Sequence, residues 1–305
     1  MAHVPAYVTA HEDGTLKKRA KQARQALADC TLCPRNCHVN RSKGKRGVCR
    51  TGAKAVVASF GPHFGEESPL VGQNGSGTIF FSYCNLLCDF CQNWEISRLG
   101  EGREADPEEI AGIMLSLARS GCHNINFVTP SHVVPMILEA VSLAAAGGLS
   151  IPLVYNSSGY DKVSTLKLLD GVVDIYMPDF KFWDPEVARS ACNAPDYPDR
   201  AREALVEMHR QVGDLVVDER GIATRGLLVR HLVLPGNLAG TRQVMDFLAR
   251  KISPDTYVNV MPQYRPLGHA PQKPGWDRGI THQEFEEALS AARRAGLTRL
   301  DRRWA

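Results

Sequence analysis

Cys84, Cys88 and Cys91 stand within eight residues of one another in the run Tyr83-Cys84-Asn85-Leu86-Leu87-Cys88-Asp89-Phe90-Cys91. Thiolates are soft ligands that select zinc, copper(I) or iron–sulfur clusters. Zinc would want a fourth protein ligand in a structural site, or an open position in a catalytic one. Three thiolates round a four-iron cluster leave one iron without a protein ligand, free to hold a substrate or cofactor. The same spacing would also place three small apolar side chains on one face of a buried helix. Against that stands the preceding run Thr78-Ile79-Phe80-Phe81-Ser82-Tyr83, which reads as a strand leading straight into the triplet. A loop leaving a strand is where sites are built.

A second set lies earlier: Cys30, Cys33 and Cys37 in Cys30-Thr31-Leu32-Cys33-Pro34-Arg35-Asn36-Cys37, then Cys49 after Gly47. Four thiols within twenty residues, with Gly44 and Gly47 to turn the chain back, make a complete tetrahedral set. A closed zinc knot and an auxiliary iron–sulfur cluster use the same ligands; zinc is favoured because a closed knot supplies folding energy to a small appendage. Seven of the nine cysteines fall in these two groups, a clustering that favours metal over disulfides. Cys122 and Cys192 are left to packing.

The elements that position these residues follow from periodicity. Residues 1–14 read as an extended lead-in, a helix is expected over 15–28, and 51–76 as a Gly- and Pro-punctuated connection whose His63 is assigned no role. Strands are expected over 78–83, 124–128, 152–155, 172–177, 227–234 and 257–261. Helices between them include one opening at Asp106-Pro107, one over 134–146, a short one near 164–169, one around 199–211 in a polar insertion (184–226), and one over 241–251. A last helix opens with the capping box Thr281-x-x-Glu284. Short apolar strands alternating with amphipathic helices imply parallel pairing with right-handed crossovers. The expected fold is α/β, a partial (β/α)6 TIM-like barrel over 77–305, with a small Cys-rich metal-binding segment in 1–76.

In such barrels chemistry gathers at the C-terminal ends of the strands. Those ends deliver Thr129-Pro130-Ser131-His132, Asn156-Ser157-Ser158-Gly159-Tyr160, Pro178-Asp179-Phe180-Lys181, the strand residue Arg230, and Pro262-Gln263-Tyr264-Arg265. Converging on one rim, these ends make Thr129, Ser131, Asn156, Ser157, Asp179, Lys181, Arg230 and Gln263 the candidate contacts of a shared site.

The spacing Cys-x3-Cys-x2-Cys, with Phe90 before the third Cys, resembles the cluster-binding motif of the radical S-adenosylmethionine (SAM) superfamily. The continuation Gln92-Asn93-Trp94-Glu95-Ile96-Ser97 resembles its pyruvate formate-lyase activating enzyme-like branch, and the similarity runs from about Cys30 to about Pro266. The resemblance implies a [4Fe–4S] cluster, SAM, a splayed partial barrel, a 5'-deoxyadenosyl radical, and an external reductant of flavodoxin or ferredoxin type. It implies hydrogen abstraction from a glycine of a partner enzyme; a peptide or small molecule is the competing target, and a non-catalytic iron–sulfur or zinc protein the competing class. Where the family carries a Gly-Gly-Glu loop for the methionyl amine, this chain has Ser131 and the Thr129 carbonyl. Asp179-Phe180-Lys181 matches the branch's Asp-x-Lys, setting Lys181 on the SAM carboxylate, and Arg230 becomes a carboxylate or ribose contact. Two features depart from the branch: the extra cysteines precede the triplet, and Pro262-Gln263-Tyr264-Arg265-Pro266 replaces a Pro-Tyr-His ending.

At 305 residues, 44% hydrophobic and 23% charged, the composition is that of an ordinary globular protein. A net charge of +3 argues neither for nor against a nucleic-acid partner, none is expected, and the basic run Leu16–Arg24 reads as a solvated helix face. No apolar signal core opens the chain and no stretch approaches bilayer-spanning length, so a cytosolic, membrane-free protein is expected.

Overall fold

Two short helices open the computed structural model, which describes residues 4–301: α1 (Ala6–Glu12) and α2 (Thr15–Gln25), with Gly14 between them at φ 79°. Of the stretch read as an extended lead-in, residues 1–3 lie outside the described residues and most of the rest is α1, a correction with a tertiary cause. A seven-residue helix without a capping side chain does not hold by itself. Docking holds it: Tyr7 is fully buried and donates its hydroxyl to the Ile151 carbonyl at 3.0 Å, and the Ala6 amide donates to Asp174 at 2.8 Å.

The connection expected over 51–76 is also structured. It contains β1 (Ala55–His63) and α3 (Ser68–Val71), and leads into β2 (Ser76–Phe81). β1 pairs antiparallel with β2 and with β3 (Arg103–Ala105), so the sheet is mixed, and part of residues 1–76 shares it with the rest of the chain. Gly61 and Pro62 punctuate β1 in the sequence, yet they sit near its end, where a missing amide is tolerated. Buried Ala55 and Val57 anchor its start.

From β2 onward the expected alternation holds. In order come α4 (Pro107–Arg119), β4 (Ile125–Val128), α5 (Val134–Ala146), β5 (Leu153–Ser157), α6 (Val163–Leu166) and β6 (Ile175–Pro178). Then follow α7 (Pro185–Cys192), α8 (Tyr197–Val212), β7 (Val216–Val217), β8 (Ala223–Leu232), α9 (Thr241–Phe247), β9 (Tyr257–Met261) and α10 (His282–Ala295). The sheet order is β3-β1-β2-β4-β5-β6-β8-β7, with β9 added to β8. β2, β4, β5, β6, β8 and β9 pair in parallel along a ladder that does not close on itself, a partial barrel of six βα units. On the helix-covered face Ile79, Phe127, Tyr155 and Tyr176 from successive strands share one hydrophobic cluster with Ile110, Met114 and Leu117 of α4, and Tyr176 donates its hydroxyl to Gln211 of α8 at 2.6 Å.

The polar insertion holds one helix more than expected. α7 starts at Asp184, whose carboxylate accepts from the Glu186 and Val187 amides, with Pro185 in the first turn. α10 opens with the expected capping box: Thr281 Oγ1 accepts from the Glu284 amide at 3.1 Å, and the Glu284 carboxylate accepts from the Thr281 amide at 2.7 Å. Thr281→Ala is expected to lower stability by about 1 kcal/mol, read as a shifted denaturant midpoint at unchanged m. Among the described residues no helix is long and apolar enough to cross a membrane.

Candidate functional site

The parallel strand ends meet at one pocket of about 240 Å³. Its wall includes Cys84, Cys88 and Cys91 from the loop after β2, Thr129 after β4, Asn156 and Ser157 at the end of β5 with Ser158 just beyond it, Asp179 and Lys181 after β6, Arg230 within β8, and Gln263 after β9. Seven of the eight candidate cofactor contacts therefore share one cavity with the triplet; Ser131 does not.

β2 ends two residues earlier than expected, so Ser82 and Tyr83 already belong to the loop. Tyr83 (φ 68°) and Leu87 (φ 60°) are held in the left-handed region, each costing on the order of 1–3 kcal/mol for a residue with a Cβ. The surroundings over-determine that conformation. Tyr83 donates its amide to the Ile96 carbonyl at 2.8 Å, and Arg98 donates to the Leu87 carbonyl and, at 2.7 Å, to the Asp89 carboxylate. Lys273 reaches Asp89 at 2.5 Å from the other side, while Phe90 stacks on Trp276 with 5.5 Å between ring centroids. Sulfur atoms are met by donors as well: the Leu86 amide lies 3.3 Å from Cys84 Sγ and the Ser97 hydroxyl 3.2 Å from Cys91 Sγ.

Burial pushes the Cys84 thiol up to about 12 and raises Cys91; Cys88 stands well above the ordinary thiol range, first through a hydrogen bond with the Cys192 thiol and then through burial. A buried thiol that resists ionisation is a poor free nucleophile, but it loses its proton readily to a bound metal. The triplet is thus suited to ligation. Among the described residues no three or more Cys, His, Asp or Glu side chains are drawn together tightly enough to cage a single ion.

Opposite the thiols lies a buried charge network. Arg230 Nε donates to Asp179 Oδ1 and Nη2 to Asn156 Oδ1, both at 2.7 Å, and Lys181 Nζ donates to Asp179 Oδ2 at 2.5 Å. Burial alone would raise the Asp179 carboxyl, but the two cations outweigh it and hold the group below the usual carboxylate range. Lys181 is pushed down by burial and more strongly up by Asp179 and Cys88, so it stays charged. Glu66 and Glu67, which sequence reasoning missed, approach Arg230 at 3.8 and 3.9 Å, and Glu67 accepts from Asn259 at 2.9 Å. Two adjacent acids before a short helix carry no sign of burial.

Ser131 and the Ser157 hydroxyl point elsewhere for one shared reason. Asp161 is fully buried, its carboxyl raised by burial, and it gathers the hydroxyls of Ser131, Tyr155 (2.9 Å) and Ser157 (2.6 Å). A buried acid takes the donors within reach. Ser131 therefore braces the strand ends instead of facing the pocket. Gly159 (φ 74°) makes the tight approach possible, since a Cβ there would lie 2.2 Å from the Asp179 carbonyl. Ser158 lines the pocket, and its buried Oγ has no hydrogen-bond partner among the described residues. His63 packs edge-on against Phe80 and does not line the pocket.

The chain is 33% identical over 290 residues to the protein MJ0674 of Methanocaldococcus jannaschii, described only as uncharacterized; the match covers 92% of this chain and 79% of that one. Among solved structures it is similar to SuiB of Streptococcus suis (TM-score 0.47, 13% identity, 72% of this chain and 46% of SuiB). It is also similar to methylornithine synthase, PylB (TM-score 0.45, 14% identity, 73% of this chain and 70% of PylB). The family described as the radical SAM superfamily matches residues 78–220, from within β2 to the turn before β8, and takes in the whole thiol loop. The chain belongs to the same family as MJ0674, and its residues 78–220 match the radical SAM superfamily.

Proposed function

We propose that this protein is an enzyme whose Cys84, Cys88 and Cys91 hold a [4Fe–4S] cluster and whose strand ends hold SAM against it. The superfamily implies both groups. On accepting one electron from an external flavodoxin- or ferredoxin-type reductant, the bound pair supplies methionine and a 5'-deoxyadenosyl radical that takes a hydrogen atom from the substrate. The observation that carries the reading is the single cavity shared by the three thiols, the Asp179–Lys181–Arg230 network and the unpartnered Ser158 hydroxyl.

In this reading each side chain has a task. Lys181, held by Asp179 and facing Cys88, is the cation for the SAM carboxylate. Arg230 is turned to Asp179 and Asn156, with Glu66 and Glu67 at 3.8 and 3.9 Å, so it fixes the wall and leaves ribose contacts to Ser158 and Gln263. The Thr129 carbonyl remains the acceptor proposed for the methionyl amine. The hydrogen donor in this reading is a glycyl residue of a partner protein, as the likeness of Gln92–Ser97 to the activating-enzyme branch implies, with a peptide or small molecule as the competing donor; Gln92, Asn93, Ile96 and Ser97 line the pocket beside the thiols. All nine cysteines are free, which suits a reducing, cytoplasmic setting.

Anaerobic incubation with SAM and dithionite, followed by chromatography, is expected to yield 5'-deoxyadenosine and methionine in equal amounts. Protein that retains iron and sulfide yet yields neither would point to a non-catalytic metal protein. Deuterium transfer from glycine-labelled partner proteins, or from small metabolites, into 5'-deoxyadenosine identifies the donor.

A further inference from the structure

Arg41 is 1% exposed, and among the described residues it pairs with no carboxylate. The segment around it offers none: from Cys30 to Gly65 the sequence contains no Asp or Glu. Its guanidinium donates from Nε to the Gly52 carbonyl at 3.0 Å and from Nη1 to the His132 carbonyl at 2.8 Å, while Nη1 lies 3.8 Å from Cys30 Sγ. Nη2 is buried without a partner among the described residues. Arg41 lines a small cavity together with Cys30, Cys33, Cys37, Cys49 and His132.

An isolated buried cation is among the costliest groups a fold can carry, unless an opposite charge accompanies it. The groups in this cavity able to supply that charge are the four thiols. Among the described residues these thiols do not stand preassembled round an ion; drawn in round a dipositive centre, whether one zinc ion or an oxidised four-iron cluster, four thiolates leave a net charge of about −2. Arg41 would lie at its edge.

The same side chain leads toward the main site. The His132 carbonyl that Arg41 holds ends the loop after β4, and His132 Nε2 is hydrogen-bonded to the Ser82 carbonyl at 3.0 Å, two residues before Cys84. That loop begins with Thr129, a β-branched residue at φ 61° in the pocket wall, a conformation that persists only where neighbours enforce it.

We infer that Cys30, Cys33, Cys37 and Cys49 hold an anionic tetrathiolate metal centre charge-matched by Arg41, and that Arg41 makes this centre a strut for the Thr129–His132 rim of the SAM pocket. The metal half stands alone; the strut half rests on the SAM reading above.

The first test uses the full chain purified anaerobically with Cys84, Cys88 and Cys91 all replaced by Ala, so that metal left behind belongs to the other four thiols. About one zinc, or about four irons with matching sulfide, per chain is expected, and elemental analysis tells the two apart. A natively folded chain with neither would overturn the metal half. In the otherwise wild-type chain, Arg41→Gln is expected to weaken metal retention by the four thiols roughly 10–100-fold. It should raise KM for SAM roughly tenfold, the worth of one charge-assisted hydrogen bond, with kcat little changed. Arg41→Lys keeps the charge without the fork, so it should keep the metal and still show the raised KM. An unchanged KM in both variants would overturn the strut. Should Arg41→Gln not fold, hydrogen exchange of residues 129–133 in the wild-type chain, before and after chelation, decides: faster exchange supports the strut and unchanged exchange overturns it. Equilibrium binding of SAM replaces KM if no cleavage occurs, which separates failure of the strut from failure of the catalytic reading.

Discussion

Cys88→Ala is expected to leave the chain folded, strip the main cluster and lower 5'-deoxyadenosine formation by roughly 10³-fold or more, since even groups that merely brace metal ligands carry 10–100-fold. Cys88 is the thiol best placed to show this, because it stands at the meeting of the loop and the charge network, close enough to Lys181 to raise the ammonium's affinity for its proton. Cys192 provides the internal comparison. Its thiol hydrogen-bonds with Cys88 and donates to the Ala188 carbonyl at 3.1 Å, yet it does not line the pocket. Cys192→Ala should therefore keep its iron, lose less than about 1.5 kcal/mol for one small buried group, and remain active. Equal iron loss in both variants would mean that the loop is fragile, and would remove the case for Cys88 as a ligand.

Asp179→Ala is expected to be the most destabilising single change in the barrel. It leaves Lys181 and Arg230 as adjacent buried cations, and removal of one partner from a buried ionic group costs about 3–5 kcal/mol. The figure applies here because the side chains of Asp179, Lys181 and Arg230 are 11%, 15% and 18% exposed, far from the solvent-screened surface pair that Asp-x-Lys in a sequence most often denotes. Asp179→Ala combined with Lys181→Met should recover part of the loss, because one uncompensated charge goes with the carboxylate. The pH dependence has a definite sign. Asp179 is held below the ordinary carboxylate range in the folded chain, so its contribution is fully present above about pH 4 and is lost as the pH falls further, through the folded value. Denaturant titrations at pH 7 and pH 3.5 should therefore separate wild type from Asp179→Ala widely at the first and less at the second.

How much of this was legible in the sequence depended on whether the cause was local. The six parallel strands were, since short apolar runs between capped helices carry their own signal; β9 occupies Tyr257–Met261 as read, and the capping box at Thr281 closes as read. The convergence of Thr129, Asn156, Asp179, Lys181, Arg230 and Gln263 with the triplet was legible for the same reason, because strand ends in such a barrel share a rim. What stayed hidden was long-range. α1 exists by docking Tyr7 against Ile151, and β1 by pairing with a strand the sequence places after a Gly- and Pro-rich stretch. Ser131 looked like a pocket hydroxyl until buried Asp161 claimed it, and Glu66 and Glu67 looked like surface acids until Arg230 turned out to face them. Each miss is a polar or apolar group whose partner lies far away along the chain, where pattern and propensity are silent.

The central claim is that the triplet holds a low-potential cluster on which SAM sits. It is tested most directly by electron paramagnetic resonance of the anaerobically reconstituted, dithionite-reduced protein, recorded with and without SAM. The account predicts a reduced [4Fe–4S] signal that changes in g-values when SAM is added; in the variant lacking Cys84, Cys88 and Cys91 that SAM-responsive signal is lost, and any cluster signal left from the other four thiols does not respond to SAM. A reduced signal that is identical with and without SAM, or that survives removal of the triplet and still responds to SAM, would contradict it.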